Sequence, residues 1–208
     1  MTKQVKRKDI EEPKSLTEAI EITEIFYYDQ DTYPSKELRL RKGINKDIAE
    51  VYSGLVKLAQ EHEEQHWSVR TVRLFPEFNQ GPDAEIQFLA HPSSMIQITC
   101  ANEIGERYLL RRELANNPQK VVSKMYTEHG ADLEVKTRLD RIIKAIEAKD
   151  KKFYHGTDTL LIIEDPDLNF LKDRGLHEKV CENVQKQNLG SKYERIYIIY
   201  GLRIRRVK

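Results

Sequence analysis

The stretch Gly81-Pro82-Asp83-Ala84-Glu85-Ile86-Gln87-Phe88-Leu89-Ala90-His91-Pro92-Ser93-Ser94-Met95-Ile96-Gln97-Ile98-Thr99 decides the reading of this chain. Its side chains alternate with the period of a strand. Asp83, Glu85 and Gln87 share one face, and Ala84, Ile86 and Phe88 share the other. Across the tight connection His91–Ser94, Gln97 and Thr99 oppose Ile96 and Ile98. The spacing predicts a hairpin of two strands, 83–90 and 95–101, with an apolar back and a polar front. Asp83 stands at the strand entry, where sheets splay. A carboxylate, an amide oxygen, a hydroxyl and nearby carbonyls form a hard-oxygen environment, which suits Mg²⁺ rather than zinc.

Upstream, Trp67–Phe75 alternates as a further strand. Before it, Ile48, Val51, Leu55, Leu58, Ala59 and His62 recur at helical spacing and predict a helix from Lys46 to His66, with Asn45 as its cap. Ser15 with Glu18 forms a capping-box signature for an earlier helix. Residues 1–14 read as a polar, mobile arm, and Phe26 to Tyr33 as an aromatic segment for core packing or a partner surface. Downstream, a helix is expected from Glu106 to Ala115, ended by Asn116-Asn117-Pro118. A longer one follows from Leu133 to Lys149. Leu160-Leu161-Ile162-Ile163 is a continuous apolar run of the kind buried on both faces of a sheet. A helix over Leu176–Gln187 leads to a second such strand, Tyr193–Tyr200, and Leu202–Val207 either extends it or adds an edge. Three strands in succession, then strands joined through helices, predict an α/β protein with a mixed central sheet flanked by helices. The division expected is an N-terminal extension, 1–44, and an α/β domain, 45–208.

Composition excludes several classes. The chain has 208 residues, is 39% hydrophobic and 33% charged, and carries a net charge of +1, so it presents no broad basic field. Basic clusters are local: Lys3, Lys6, Arg7 and Lys8; Arg39, Arg41 and Lys42; and Arg203, Arg205, Arg206 and Lys208. They serve solubility or phosphate contact. Cys100 and Cys181 form no CxxC pair and read as buried free thiols, which points to a reducing cytoplasm. No apolar run reaches the ~18 residues that span a bilayer, so no membrane partner is expected. His62-Glu63-Glu64-Gln65-His66 offers two imidazoles one turn apart but no third ligand, against a zinc site. Phosphate-loop, dinucleotide and nucleophile-elbow motifs are absent.

Pro82-Asp83, the hairpin, and Gln97-Ile98-Thr99 on the next strand together resemble the core of the PD-(D/E)xK nuclease superfamily. The resemblance extends over residues 45–200. It implies a restriction-endonuclease-like α-β-β-β-α-β core and Mg²⁺- or Mn²⁺-dependent hydrolysis of DNA phosphodiester bonds in restriction, repair or defence. It also brings the possibility of a homodimer. It assigns Asp83, Gln97 and, from the preceding helix, Glu50 to the metal, and puts Thr99 where the superfamily usually has Lys. Gln97 is a weaker ligand than a carboxylate, and Thr99 brings no charge. Glu85 can restore a second carboxylate, and Lys149 or Lys152 can supply a displaced Lys if their helix faces the site. The departures also favour an alternative, a nuclease-fold protein that binds nucleic acid or a protein partner without cutting. Plainer roles compete at each position. Asp83 can be a turn residue bonding its own backbone. Gln97 and Thr99 can be ordinary half-exposed strand residues, Glu50 a solvated helix residue, and Glu85 an exposed strand residue.

Overall fold

A computed structural model describes residues 5–28, 47–76, 81–101, 128–164, 174–201 and 203–208. Two short helices come first, α1 (Arg7–Glu11) and α2 (Leu16–Tyr28). A π-helical segment, Asp47–Tyr52, runs directly into α3 (Ser53–Glu64). Then come β1 (Val69–Leu74), β2 (Ala84–Phe88), β3 (Ser94–Cys100), α4 (Glu128–Lys151), β4 (Thr159–Glu164), α5 (Arg174–Gln187), β5 (Arg195–Tyr200) and β6 (Arg203–Arg206). The expected helix 106–115, its breaker, the Asn45 cap and the cluster Arg39, Arg41 and Lys42 lie outside the described residues, as do the side chains of the aromatic segment from Phe26.

The strands form one six-stranded mixed sheet in sequence order, β1-β2-β3-β4-β5-β6. The first three are antiparallel, with Ala84 opposite Ile96 and Glu85 opposite Met95. β3, β4 and β5 run parallel, and β6 returns antiparallel as an edge. Within the expected 202–207 stretch, Arg203–Arg206 therefore adds a strand rather than extending β5. Every residue of β4 is buried, as its continuous apolar run requires.

Two cores lie on opposite faces of the sheet. On one, Ile86, Phe88, Ile96, Ile98 and Leu161 pack with Ile48, Tyr52, Leu55 and Leu58 of the π-segment and α3. Gly54 allows α3 to lie close on β4, since a Cβ there would stand 2.5 Å from Ile163 Cδ1. On the other, Leu160, Ile162, Ile196 and Ile198 pack with Ile142 and Ile146 of α4 and Val180 and Val184 of α5. Opposed faces of adjacent strand residues thus serve different helices, which is the period-two logic of a sheet covered on both sides.

The N-terminal arm differs from expectation. Residues 7–11 are helical, Ile10 is buried in the first core, and Lys14 exchanges backbone hydrogen bonds with Val72 at 3.0 and 2.8 Å. Ile10, with the partly buried Val5 packed on the same core, docks this polar stretch. The capping box at Ser15 is present: the Ser15 amide donates to Glu18 Oε2 at 2.9 Å, and the Glu18 amide to Ser15 Oγ at 3.3 Å. Among the described residues no helix is long and apolar enough to cross a membrane.

Candidate functional site

Asp83 sits where β2 and β3 begin to part. Its backbone is held on both sides: its amide donates to Ile96 O at 2.8 Å, and its carbonyl accepts from Phe75 N at 2.9 Å. One step further the ladder is continued by its side chain, because Asp83 Oδ2 accepts the Ile98 amide at 2.7 Å. The carboxylate therefore bonds the neighbouring strand, not its own turn. A carboxylate bound by a backbone N–H is a fixed, oriented anion.

The same oxygen receives a second donor. Lys149, in the last turn of α4, places Nζ 3.1 Å from Asp83 Oδ2. Of the two displaced lysines expected, Lys149 is the one brought to the hairpin. The Lys152 side chain is exposed, and it is the Lys152 backbone carbonyl that faces the sheet, accepting from Gln97 Nε2 at 3.1 Å.

Gln97 is fully buried. Its amide nitrogen is taken by Lys152 O and its amide oxygen accepts the Tyr193 hydroxyl at 2.6 Å. Burial, with Asp150 and Asp83 nearby, pushes the Tyr193 hydroxyl well above the usual phenol range, so it remains a donor. The Gln97 amide is thus directed at α4 and Tyr193 rather than at Asp83. Tyr193 had no sequence signal beyond opening an apolar strand.

Thr99 is half-buried and lines a cleft of about 200 Å³ beside Asp83. Arg7, Glu11, Asp47 and Val51 form its far wall. Arg7 bonds Asp47 Oδ2 at 2.6 Å and Glu11 Oε1 at 3.3 Å, so the docked N-terminal arm supplies one wall of the cleft. Glu50 belongs to the π-helical segment at that wall, but its side chain lies outside the described residues. Glu85 is buried and not exposed as a strand residue on the polar face was expected to be: Arg73 Nε bonds its Oε2 at 2.8 Å, and Gln87 Nε2 its Oε1 at 3.2 Å. A cross-strand guanidinium explains the burial.

The donors can be tested against a divalent cation. Mg²⁺ is commonly held by one or two carboxylates, with waters and substrate phosphates completing its shell. Asp83 suits that role: its side chain is 40% exposed, and its Oδ1 has no hydrogen-bond partner among the described residues. Asp47 and Glu11 add carboxylates to the cleft but are tied to Arg7. Among the described residues no group of three His, Cys, Asp or Glu side chains stands close enough to hold a metal. The set fits a hydrated Mg²⁺ sharing its shell with a phosphate, and does not fit an ion caged by protein alone.

Two other polar clusters are buried away from this cleft. His62 packs among Trp67, Phe88 and Tyr197, and neither ring nitrogen has a hydrogen-bond partner among the described residues. Burial holds its pKa down to about 4. His177 is likewise held to about 4, by burial and then by Arg138, whose Nη2 lies 3.3 Å from its Nδ1. Arg138 in turn forms a bidentate pair with Glu164 at 3.0 and 2.7 Å. Cys181 lies 3.6 Å from His177 Nε2, but burial pushes its thiol up to about 12, so this Cys–His contact is not an activated nucleophile. Both cysteines are free.

Compared with known proteins, the chain matches no family model, no curated sequence and no solved structure.

Proposed function

We propose that this chain is a nuclease of the PD-(D/E)xK type, hydrolysing phosphodiester bonds of DNA with a divalent cation. One observation carries the reading: Lys149, from the helix after the hairpin, meets Asp83 at 3.1 Å, where the Thr99 position supplies no cation. The run of α3, β1, β2, β3, α4 and β4, with a mixed sheet between helix layers, supports the restriction-endonuclease-like core. The free thiols suit a reducing cytoplasm.

In this reading Asp83 offers Oδ1 to the cation, while the Ile98 amide and Lys149 fix its Oδ2. Bound there, Mg²⁺ would polarise the phosphate and ease ionisation of the attacking water. Lys149 stands beside the phosphate position, offsets the charge that builds on it, and orients the water. The apolar wall of Ile10, Val51 and Leu74 limits bulk water on one side of the cleft. Gln97 takes no direct part.

A second reading is favoured by that commitment of Gln97: the fold binds nucleic acid or a protein partner without cutting. Cleavage of plasmid and linear DNA with Mg²⁺ or Mn²⁺ separates the two. Cutting by the wild type should be lost in Asp83→Ala and fall by about 10²-fold in Lys149→Met. Equal cutting by all three proteins refutes the assignment. DNA retained by the wild type with no cutting under any cation supports the binding reading. Homodimerisation, which the resemblance also carries, is checked by sedimentation velocity.

A further inference from the structure

The last carbonyls of an α-helix have no partner within the helix, so they must be met from outside. At the end of α4, Lys149 O accepts the Lys152 amide at 3.0 Å, and further donors reach this end from the sheet side. The Tyr193 hydroxyl lies 3.2 Å from Lys149 O, Lys192 Nζ donates to Asp150 O at 2.6 Å, and Gln97 Nε2 donates to Lys152 O at 3.1 Å. The single hydroxyl hydrogen of Tyr193 goes to Gln97 Oε1 at 2.6 Å, so the 3.2 Å approach to Lys149 O is the weaker, shared arm of the same donor. Gln97 comes from the middle of β3, Tyr193 and Lys192 from the approach to β5. Three side chains from two parts of the chain therefore grip a single helical turn, and the side chain that turn presents to Asp83 is Lys149.

We propose that Gln97 and Tyr193 are positioning residues, a brace that fixes the final turn of α4 so that the Lys149 ammonium meets the Asp83 carboxylate. This deepens the nuclease reading, and rests on it for the meaning of the Asp83–Lys149 pair, but the brace itself is a property of the folded chain. The position that the resemblance gives to a metal ligand has here been turned to mechanical use. A carboxylamide suits the task better than a carboxylate. Its nitrogen donates to a helix carbonyl while its oxygen accepts from a phenol, and a carboxylate can only accept.

Gln97→Glu separates the two roles because they predict opposite results. A metal ligand becomes stronger when the amide is replaced by a carboxylate. A brace loses its donor to Lys152 O once the buried Glu is ionised, and because burial raises its pKa the labelling is read at alkaline pH. Two measurements on the intact protein report this without any cleavage: Mn²⁺ binding followed by electron paramagnetic resonance, and the rate of Lys149 acetylation by acetic anhydride, read by mass spectrometry against Lys144 on the same helix. In Gln97→Glu and in Tyr193→Phe, Lys149 labelling should rise about fivefold or more, the scale of one lost hydrogen bond, with Lys144 unchanged. Mn²⁺ affinity should not increase. Tyr193→Phe removes a single oxygen and keeps the test available if Gln97→Glu folds poorly. Unchanged Lys149 labelling in both variants, or tighter Mn²⁺ binding in Gln97→Glu, overturns the brace. Loss of cleavage chemistry in the wild type would overturn the nuclease reading and leave the labelling result standing.

Discussion

Acid sensitivity is the most directly calculable property of this fold. His62 and His177 are 1% and 2% exposed, and each is held neutral, its pKa falling from an ordinary 6.5 to about 4. A lowered folded-state pKa means that the unfolded chain binds more protons between these values. The stability contribution is therefore complete above about pH 6.5, declines as pH falls, and is gone below about pH 4. A difference of about 2.5 pH units corresponds to roughly 3 kcal/mol per histidine, or about 6 kcal/mol for the pair. That is a large share of the roughly 5–15 kcal/mol by which native domains are stable. In urea, with a slope of about 3 kcal/mol per molar for a chain of this size, the unfolding midpoint should fall by about 2 M between pH 7 and pH 4. His62→Phe is the diagnostic variant. The ring is enclosed by Trp67, Phe88 and Tyr197 and makes no hydrogen bond among the described residues, so Phe keeps the packing and breaks none of the bonds seen there. It should remove about half of the pH dependence. Equal midpoint shifts in His62→Phe and wild type would show that His62 does not hold its proton off as described.

Two further outcomes are expected. Arg138→Met leaves Glu164 charged and buried without its bidentate partner, and should cost about 3–5 kcal/mol in chemical denaturation. Arg138→Met with Glu164→Leu should recover most of that loss, and failure to recover would assign the cost to packing around Tyr200 and His177 instead. Gly190→Ala places a side chain at φ +67°, against Ile196 and Ile146, and should lower the melting temperature by several degrees, about 1–2 kcal/mol.

The parts of this fold legible in the sequence are those set by local period. The alternation from Asp83 to Phe88 gives β2 and its two faces, and the apolar run at Leu160 gives a strand buried on both sides. The Ser15–Glu18 pair marks a helix start. The illegible parts depend on partners far along the chain. Lys149 could be named as a candidate, yet only the packing of α4 on β3 selects it over Lys152. Gln97 looks like half of a ligand set until Tyr193, from the approach to β5, donates to its oxygen. Glu85 looks exposed until Arg73 is seen opposite it. The arm through Lys14 looks mobile because its docking uses Ile10, the partly buried Val5, an ion pair from Arg7 to Asp47 and main-chain bonds, a set with no helical or strand period. The π-helical turn at Asp47–Tyr52 has no compositional mark at all.

An open sheet must also avoid joining other sheets. A bare edge strand offers unpaired amides and carbonyls to any passing chain, and proteins blunt such edges by covering or charging them. Here the two ends of the sheet use different protections. On the β1 side, Lys14 takes both main-chain bonds of Val72, and that edge is capped by the protein's own arm. On the β6 side, Arg203, Arg205 and Arg206 place three guanidinium groups in a four-residue strand. The arm that walls the cleft through Arg7 therefore also shields the sheet against edge-to-edge aggregation, so its removal would expose hydrogen-bonding backbone as well as take away that wall.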